Sequence, residues 1–143
     1  MNEPYLALQV MMMPRDANPL PPLPGSNPNT PGLTIFGGVI LSYIDQAGAI
    51  GARHEVIRAG GPVPALVTVA MNRVEFKQPV LVGDLVRFRT HLVRIGRTSV
   101  TVHVNVEAER GTVLVPVTEA EVVYVGIDLS SPERKPVPLL PGS

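Results

Sequence analysis

The chain of 143 residues has no cysteine, no tryptophan, and only three tyrosines and three phenylalanines. Without cysteine it has neither a disulfide framework nor a thiolate metal site. Charge is scarce and balanced, 12 basic against 12 acidic side chains, for a formal net charge of zero. Nucleic-acid binding draws its affinity from a basic surplus, so no nucleic-acid partner is expected. No stretch approaches the roughly 18 apolar residues that mark a membrane-spanning helix, and no basic region followed by an apolar run marks a targeting signal. The length suits one domain with enough chain to bury a core. These absences together point to a single-domain cytoplasmic protein with no membrane partner.

What the chain has in excess is proline, 16 residues, unevenly placed. Eight precede Phe36 and four follow Ser131, so an ordered middle lies between proline-rich ends. Residues 5–13 (YLALQVMMM), between Pro4 and Pro14, read as a buried strand. Six prolines from Pro19 to Pro31 exclude a helix or central strand across residues 15–34, which read as a long inserted loop. Residues 129–143 read as a proline-rich tail.

Residues 37–57 carry the one convincing helical pattern. Val39, Ile40, Leu41, Ile44, Ala47, Ile50 and Ala52 wrap most of its circumference, which predicts a buried helix. Gly48 and Gly51 each weaken a helix by about 1 kcal/mol relative to alanine, and the expected return is close approach by another backbone. Gly60, Gly61 and Pro62 end it. Strands follow. Residues 65–77 alternate, with Leu66, Ala70, Val74 and Phe76 in one set. Residues 85–95 place Val86, Phe88 and Leu92 opposite Arg87, Arg89 and His91. Val100, Val102, Val104 and Val106 alternate with Thr101, His103, Asn105 and Glu107, the cleanest period of two in the chain. Residues 112–127 complete the set, with Pro116 predicting a bulge. Turns at Gly96-Arg97 and Arg110-Gly111 make the sheet antiparallel. The fold class is therefore α+β: one long helix on an antiparallel sheet of about five strands. A single sheet covers only part of so apolar a helix, and a second copy of the chain is expected to cover the rest.

Asp45 lies in the middle of that helix. Its neighbours three and four positions away are Leu41, Ser42, Gly48 and Ala49, none of them a cation. A buried carboxylate needs a partner or a shifted pKa. Asp45 is therefore either a hydrogen-bonding group at a subunit contact or a catalytic base or nucleophile. The Gly37-Gly38 helix start leaves N–H groups uncovered at the positive end of the helix dipole, where they can hold a carbonyl oxygen that gains negative charge. Eight residues separate Gly37 from Asp45, about 12 Å of helix at 1.5 Å per residue. One small electrophile cannot touch both within one helix. If both act on it, they come from antiparallel helices across a two-fold axis.

The segments IFGGVILSYIDQAGAIGA, LVTVAMNRVEFKQPVLVGDLV, GRTSVTVHVNVEA and VTEAEVVYVGID, in this order, resemble the hotdog-fold acyl-CoA thioesterases of the YciA and cytosolic acyl-CoA hydrolase type. LALQVMMMPRDAN and ERKPVP fit as well, so the likeness covers the chain except roughly residues 19–34. It implies a helix wrapped by a curved sheet, subunits paired into one continuous sheet with their helices side by side, and dimers assembled as a trimer into a hexamer. It implies hydrolysis of fatty acyl-CoA with Asp45 as base or nucleophile, and a second catalytic residue, an asparagine ahead of the Ile-Phe-Gly-Gly turn, contributed across the dimer.

The chain departs from the family at that asparagine. Asn18 keeps the strand-side context in Met13-Pro14-Arg15-Asp16-Ala17-Asn18, while Asn29 keeps the glycine-side context in Asn29-Thr30-Pro31-Gly32, and the proline-rich insertion splits them. An insertion should loop out while the segment tied to Ile35 stays near the cleft, which favours Asn29 over Asn18. The implied chemistry has the thioester carbonyl held by Gly37 or Gly38 and the asparagine amide. Arg97 and then Arg58 are candidates for the phosphates of coenzyme A, and Thr68 for a hydrogen bond near Asp45. Coenzyme A enters as part of the substrate, and no resident cofactor is expected. His54, His91 and His103 lack metal-ligand spacing, so no metal site is expected either. Two alternatives stand beside hydrolysis. One is a non-catalytic acyl-CoA or lipid-binding protein. The other is an acyl-thioester dehydratase or hydratase, which would need a histidine such as His54 beside the helix acid.

Overall fold

The computed structural model describes residues 3–19 and 34–142. Strand β1 (Tyr5–Met11) leads, after a single 3₁₀ turn at Pro14–Asp16, to helix α1 (Gly37–Arg58). Four strands follow: β2 (Leu66–Phe76), β3 (Leu85–Ile95), β4 (Ser99–Arg110) and β5 (Val113–Gly126). They form one open antiparallel sheet in the order β1-β3-β4-β5-β2, and α1 lies across its inner face, packed against every strand. This is the two-layer α+β arrangement expected.

The alternation in β4 does what its pattern predicts. Val100, Val102, Val104 and Val106 are all fully buried beneath the helix, with Val86 and Phe88 of β3 and Val122 and Tyr124 of β5 beside them. The opposite face is a polar ladder. Arg87 donates to Gln9 and Glu109, Arg89 pairs with Glu107, and His103 stacks on His91 while facing Glu119. Pro116 sits at a bulge, as expected: Val106 pairs with Thr118 but Glu107 with Pro116, leaving Val117 over.

Four expectations need correction. Strand β1 is an edge strand and only half-buried; Met12, just beyond it, is the buried residue of that run. In β2 the pairing slips between Thr68 and Ala70 and again between Asn72 and Glu75, so Leu66, Ala70, Val74 and Phe76 do not form one face, and Phe76 is exposed. The helix is not apolar all round. Ile40, Ile44, Ala47, Ala52 and Val56 are buried, but Gly38, Ser42, Gln46 and Arg53 form an exposed stripe of small and polar residues. Finally, Gly48 and Gly51 admit side chains of the sheet, not a backbone. A Cβ at Gly48 would stand 2.2 Å from the Tyr124 hydroxyl, and one at Gly51 would stand 2.1 Å from Thr90 Oγ1.

The tail packs back onto the sheet. Val137 N–H donates to Gly126 O, Leu139 N–H donates to Arg97 O, and the Leu139 side chain is buried. Among the described residues, no helix is long and apolar enough to cross a membrane.

Candidate active site

Two clusters of chemistry-bearing groups lie on α1, one at its start and one at its middle. The start is set by a short ladder. Asn18 N–H donates to Thr34 O at 2.7 Å, Phe36 N–H to Asp16 O at 2.9 Å, and Ile35 N–H to Val80 O at 2.8 Å. The Val80 segment is clamped in turn. Arg110 donates to both oxygens of the buried Asp84 carboxylate and to Pro79 O, and Asp84 accepts from Leu81 N–H. The hydrogen bond that Arg110 donates to Asp84 raises the Arg110 pKa, so the guanidinium stays charged. This clamp holds the wall of a cleft of about 360 Å³ lined by Asn18, Thr34, Gly37, Phe76, Lys77 and Gln78.

The ladder brings Asn18 and Gly37 together in that cleft. No side chain caps the helix start, and among the described residues the Gly37 amide has no backbone acceptor outside the helix. Among the described residues, nothing therefore stands between its N–H and a ligand. The Asn18 amide makes only a long contact, 3.5 Å, to Thr34 Oγ1. Gly38 opens elsewhere, toward Asp16, Phe36, Ser42, Tyr43 and Gln46. Asn29, favoured above, lies outside the described residues.

The middle cluster is built differently. Asp45 is half-buried, not fully buried as expected, and its partners are hydroxyls. Thr68 Oγ1 donates to Asp45 Oδ1 at 2.7 Å. Tyr124 donates to the Asp45 carbonyl oxygen at 2.7 Å and lies 3.3 Å from Oδ1. Thr68 is thus beside Asp45 as the sequence suggested, and Tyr124 is the group missed. The sequence signal that could have found it is Gly48, which stands one turn beyond Asp45 and leaves room for the phenol. The clusters are separated by about 12 Å of helix, so within one chain they do not converge.

The remaining candidates stand apart from both. Arg58, in the last helical turn, pairs with Glu55 at 3.2 Å. It is 13 positions, or about 20 Å, from Asp45. Arg97 is exposed in the β3–β4 turn. Lys77 reaches the Gly37 cleft and was missed because nothing local in the sequence marks it. His54 does not face Asp45. Its ring stacks on Tyr5 at 3.9 Å, in nearly parallel planes. Among the described residues, no group of three or more metal-binding side chains converges.

Comparison with known proteins adds a third line. A model described as the thioesterase superfamily matches residues 33–115. The acyl-CoA thioester hydrolase YciA of Salmonella typhimurium is 34% identical over 140 residues, covering 94% of this chain and 89% of that one. A hexameric hotdog fold thioesterase of Campylobacter jejuni superposes with a TM-score of 0.72 at 36% identity, covering 93% and 90%. A hexameric thioesterase from Yersinia pestis superposes with a TM-score of 0.77 at 28% identity over the whole of both chains.

Proposed function

The chain belongs to the thioesterase superfamily and has the hotdog fold, and from that premise we propose that it is an enzyme that hydrolyses fatty acyl-CoA, through a site shared by two copies. The observation that carries this is the division of the site. The donors Gly37 and Asn18 sit at the helix start, the carboxylate sits about 12 Å along it, and both open outward. Two antiparallel helices related by a two-fold axis would place one chain's Asp45 opposite the other's Gly37. The β2 edge supports that pairing, because its Val67 and Val69 side chains are exposed beside unpaired backbone groups. The small and polar stripe Gly38, Ser42 and Gln46 lets a second helix approach.

In the shared site the thioester carbonyl oxygen accepts from Gly37 N–H and the Asn18 amide, which stabilise its developing charge. Asp45 of the opposite chain takes the proton of an attacking water, or attacks the carbonyl carbon itself. Either way the C–S bond breaks and the electron pair leaves with sulfur: in the first route the proton taken by Asp45 passes to it and coenzyme A departs as the thiol, and in the second coenzyme A departs as the thiolate and takes its proton from solvent. In the direct route, water then hydrolyses the acyl–aspartyl anhydride. Coenzyme A is half of the substrate and not a resident cofactor. Arg97 or Lys77 would hold its phosphates. The dimers assemble into a trimer of dimers, and the enzyme works in the cytoplasm.

Acyl-CoA hydrolysis by the wild type and Asp45→Asn, over a series of chain lengths, tests the proposal. Hydrolysis by the wild type, strongly reduced in the variant, is expected. A wild type that binds acyl-CoA without cleaving it would support the non-catalytic alternative.

A further inference from the structure

Asp45 carries two carboxylate oxygens, and the protein treats them differently. Both hydroxyl contacts fall on Oδ1: Thr68 at 2.7 Å and Tyr124 at 3.3 Å. Among the described residues nothing donates to Oδ2. A carboxylate pinned on one oxygen cannot rotate freely, and its other oxygen keeps its lone pairs for a reacting partner. The Tyr124 hydroxyl has one proton, shared unequally between the Asp45 backbone carbonyl at 2.7 Å and Oδ1 at 3.3 Å, so the phenol holds the helix at Asp45 firmly and the side chain more weakly.

The grip is built into the packing. Tyr124 is almost wholly buried on β5, and its ring occupies the space left by Gly48. The helix gives up intrinsic stability for that glycine relative to alanine. Burial and the neighbouring Asp45 push the phenol pKa well above its ordinary value, so the hydroxyl remains a donor at any working pH. A phenylalanine would fill the same volume without the contact, which makes the buried oxygen the feature to explain.

We infer that Tyr124 is a positioning residue for Asp45: with Thr68 it fixes the carboxylate through Oδ1 and reserves Oδ2 as the reacting oxygen. This rests on the proposed role of Asp45. Among the described residues, the groups that hydrogen-bond the carboxylate come from two strands, Thr68 on β2 and Tyr124 on β5, and neither is a cation.

The test is steady-state acyl-CoA hydrolysis by the full chain carrying Tyr124→Phe, Thr68→Val, Thr68→Ser and Asp45→Asn, with Tyr124→Phe also placed in the Asp45→Asn background. Loss of the short hydrogen bond to the carboxylate predicts about a tenfold fall in kcat for Thr68→Val, and loss of the shared proton a smaller fall, roughly threefold, for Tyr124→Phe, with KM unchanged in both. Thr68→Ser restores the hydroxyl and should keep the wild-type kcat. In the Asp45→Asn background, Tyr124→Phe should cost nothing further, because it acts through the aspartate. A purely structural tyrosine would lower both backgrounds alike, and that result overturns the inference. So does a wild-type kcat in Tyr124→Phe when Asp45→Asn is strongly impaired, an outcome that leaves the aspartate's role standing. An unimpaired Asp45→Asn overturns both. If Tyr124→Phe does not fold, Gly48→Ala, which displaces the hydroxyl, must show the kcat loss at unchanged KM, and a wild-type kcat there is equally contrary.

Discussion

The start and the middle of α1 present functional groups by opposite means. At the start, the donors are a backbone amide and a carboxamide on irregular chain, held by a ladder across Asn18, Thr34, Ile35 and Val80 and steadied from behind by Asp84 and Arg110. At the middle, a carboxylate on a regular helix is gripped by hydroxyls from two strands, with a glycine spent to let one of them in. A helix interior satisfies its own backbone, so only side chains can act there; its first turn leaves N–H groups over, so the backbone itself can act. An electrophile needs charge stabilised at one atom while a base acts near another. One helix supplies both kinds of group but cannot bring them together, and the two-fold pairing proposed above would resolve that.

Breaking each half should show different signatures. The largest effect is expected from Asp45→Asn, a fall in kcat of about 100- to 10,000-fold, as for loss of a general base. Single-turnover hydrolysis in ¹⁸O-water would show by mass spectrometry whether label enters Asp45, as direct attack followed by water addition at the aspartyl carbonyl produces and a general base does not. Asn18→Ala should lower kcat by about 100- to 1,000-fold, the range for one oxyanion donor; a wild-type rate would move the role elsewhere, Asn29 first. Next comes Gly51→Ala, which sharpens the contrast by disturbing helix packing away from both clusters. Its Cβ would press on Thr90, whose hydroxyl is already buried without a hydrogen-bond partner among the described residues. Overpacking should lower stability by about 1–3 kcal/mol in denaturant melts, with kcat of the folded enzyme little changed.

The smallest effect lies on the outer face of the sheet. Burial and the neighbouring His103 hold the His91 pKa below its ordinary value of 6.5, with Glu55 opposing them, and Glu119 faces His103 from β5. The unfolded chain therefore takes up this proton first on acidification. The stability that neutral His91 contributes is complete above about pH 6.5 and is lost as pH falls below it. His91→Gln should flatten that part of the stability profile in melts between pH 7 and 5, without changing kcat at neutral pH.

Most of the fold was legible because burial writes a period into the chain. The four valines of β4 alternate strictly and are all buried, and Pro116 marks its bulge because proline cannot donate to a ladder. Strand β2 was misread for an equally physical reason. Arg73 takes a left-handed backbone with φ of 57°, in the stretch where the pairing slips, and no residue but glycine or asparagine would have advertised that conformation. In the site, Asp45 and Thr68 were legible as an acid without a cation and a hydroxyl on the next strand. The place of Asn18 beside the helix start was not legible, because the proline-rich run hides the pairing that returns Thr34 to it, and Asn29 lies outside the described residues. Tyr124 looked like one more inward residue of an alternating strand, since its hydroxyl finds Asp45 only through the packing of sheet on helix.

If two copies of the chain share each site, mixing inactive subunits must restore activity. Asp45→Asn and Asn18→Ala proteins, each nearly inactive alone, are unfolded together and refolded as a mixture. Random reassortment makes half the dimers mixed, and each mixed dimer keeps one site with both groups intact, so the rate should recover to about a quarter of wild type. A mixture no more active than its parents would contradict a shared site and return both clusters to a single chain.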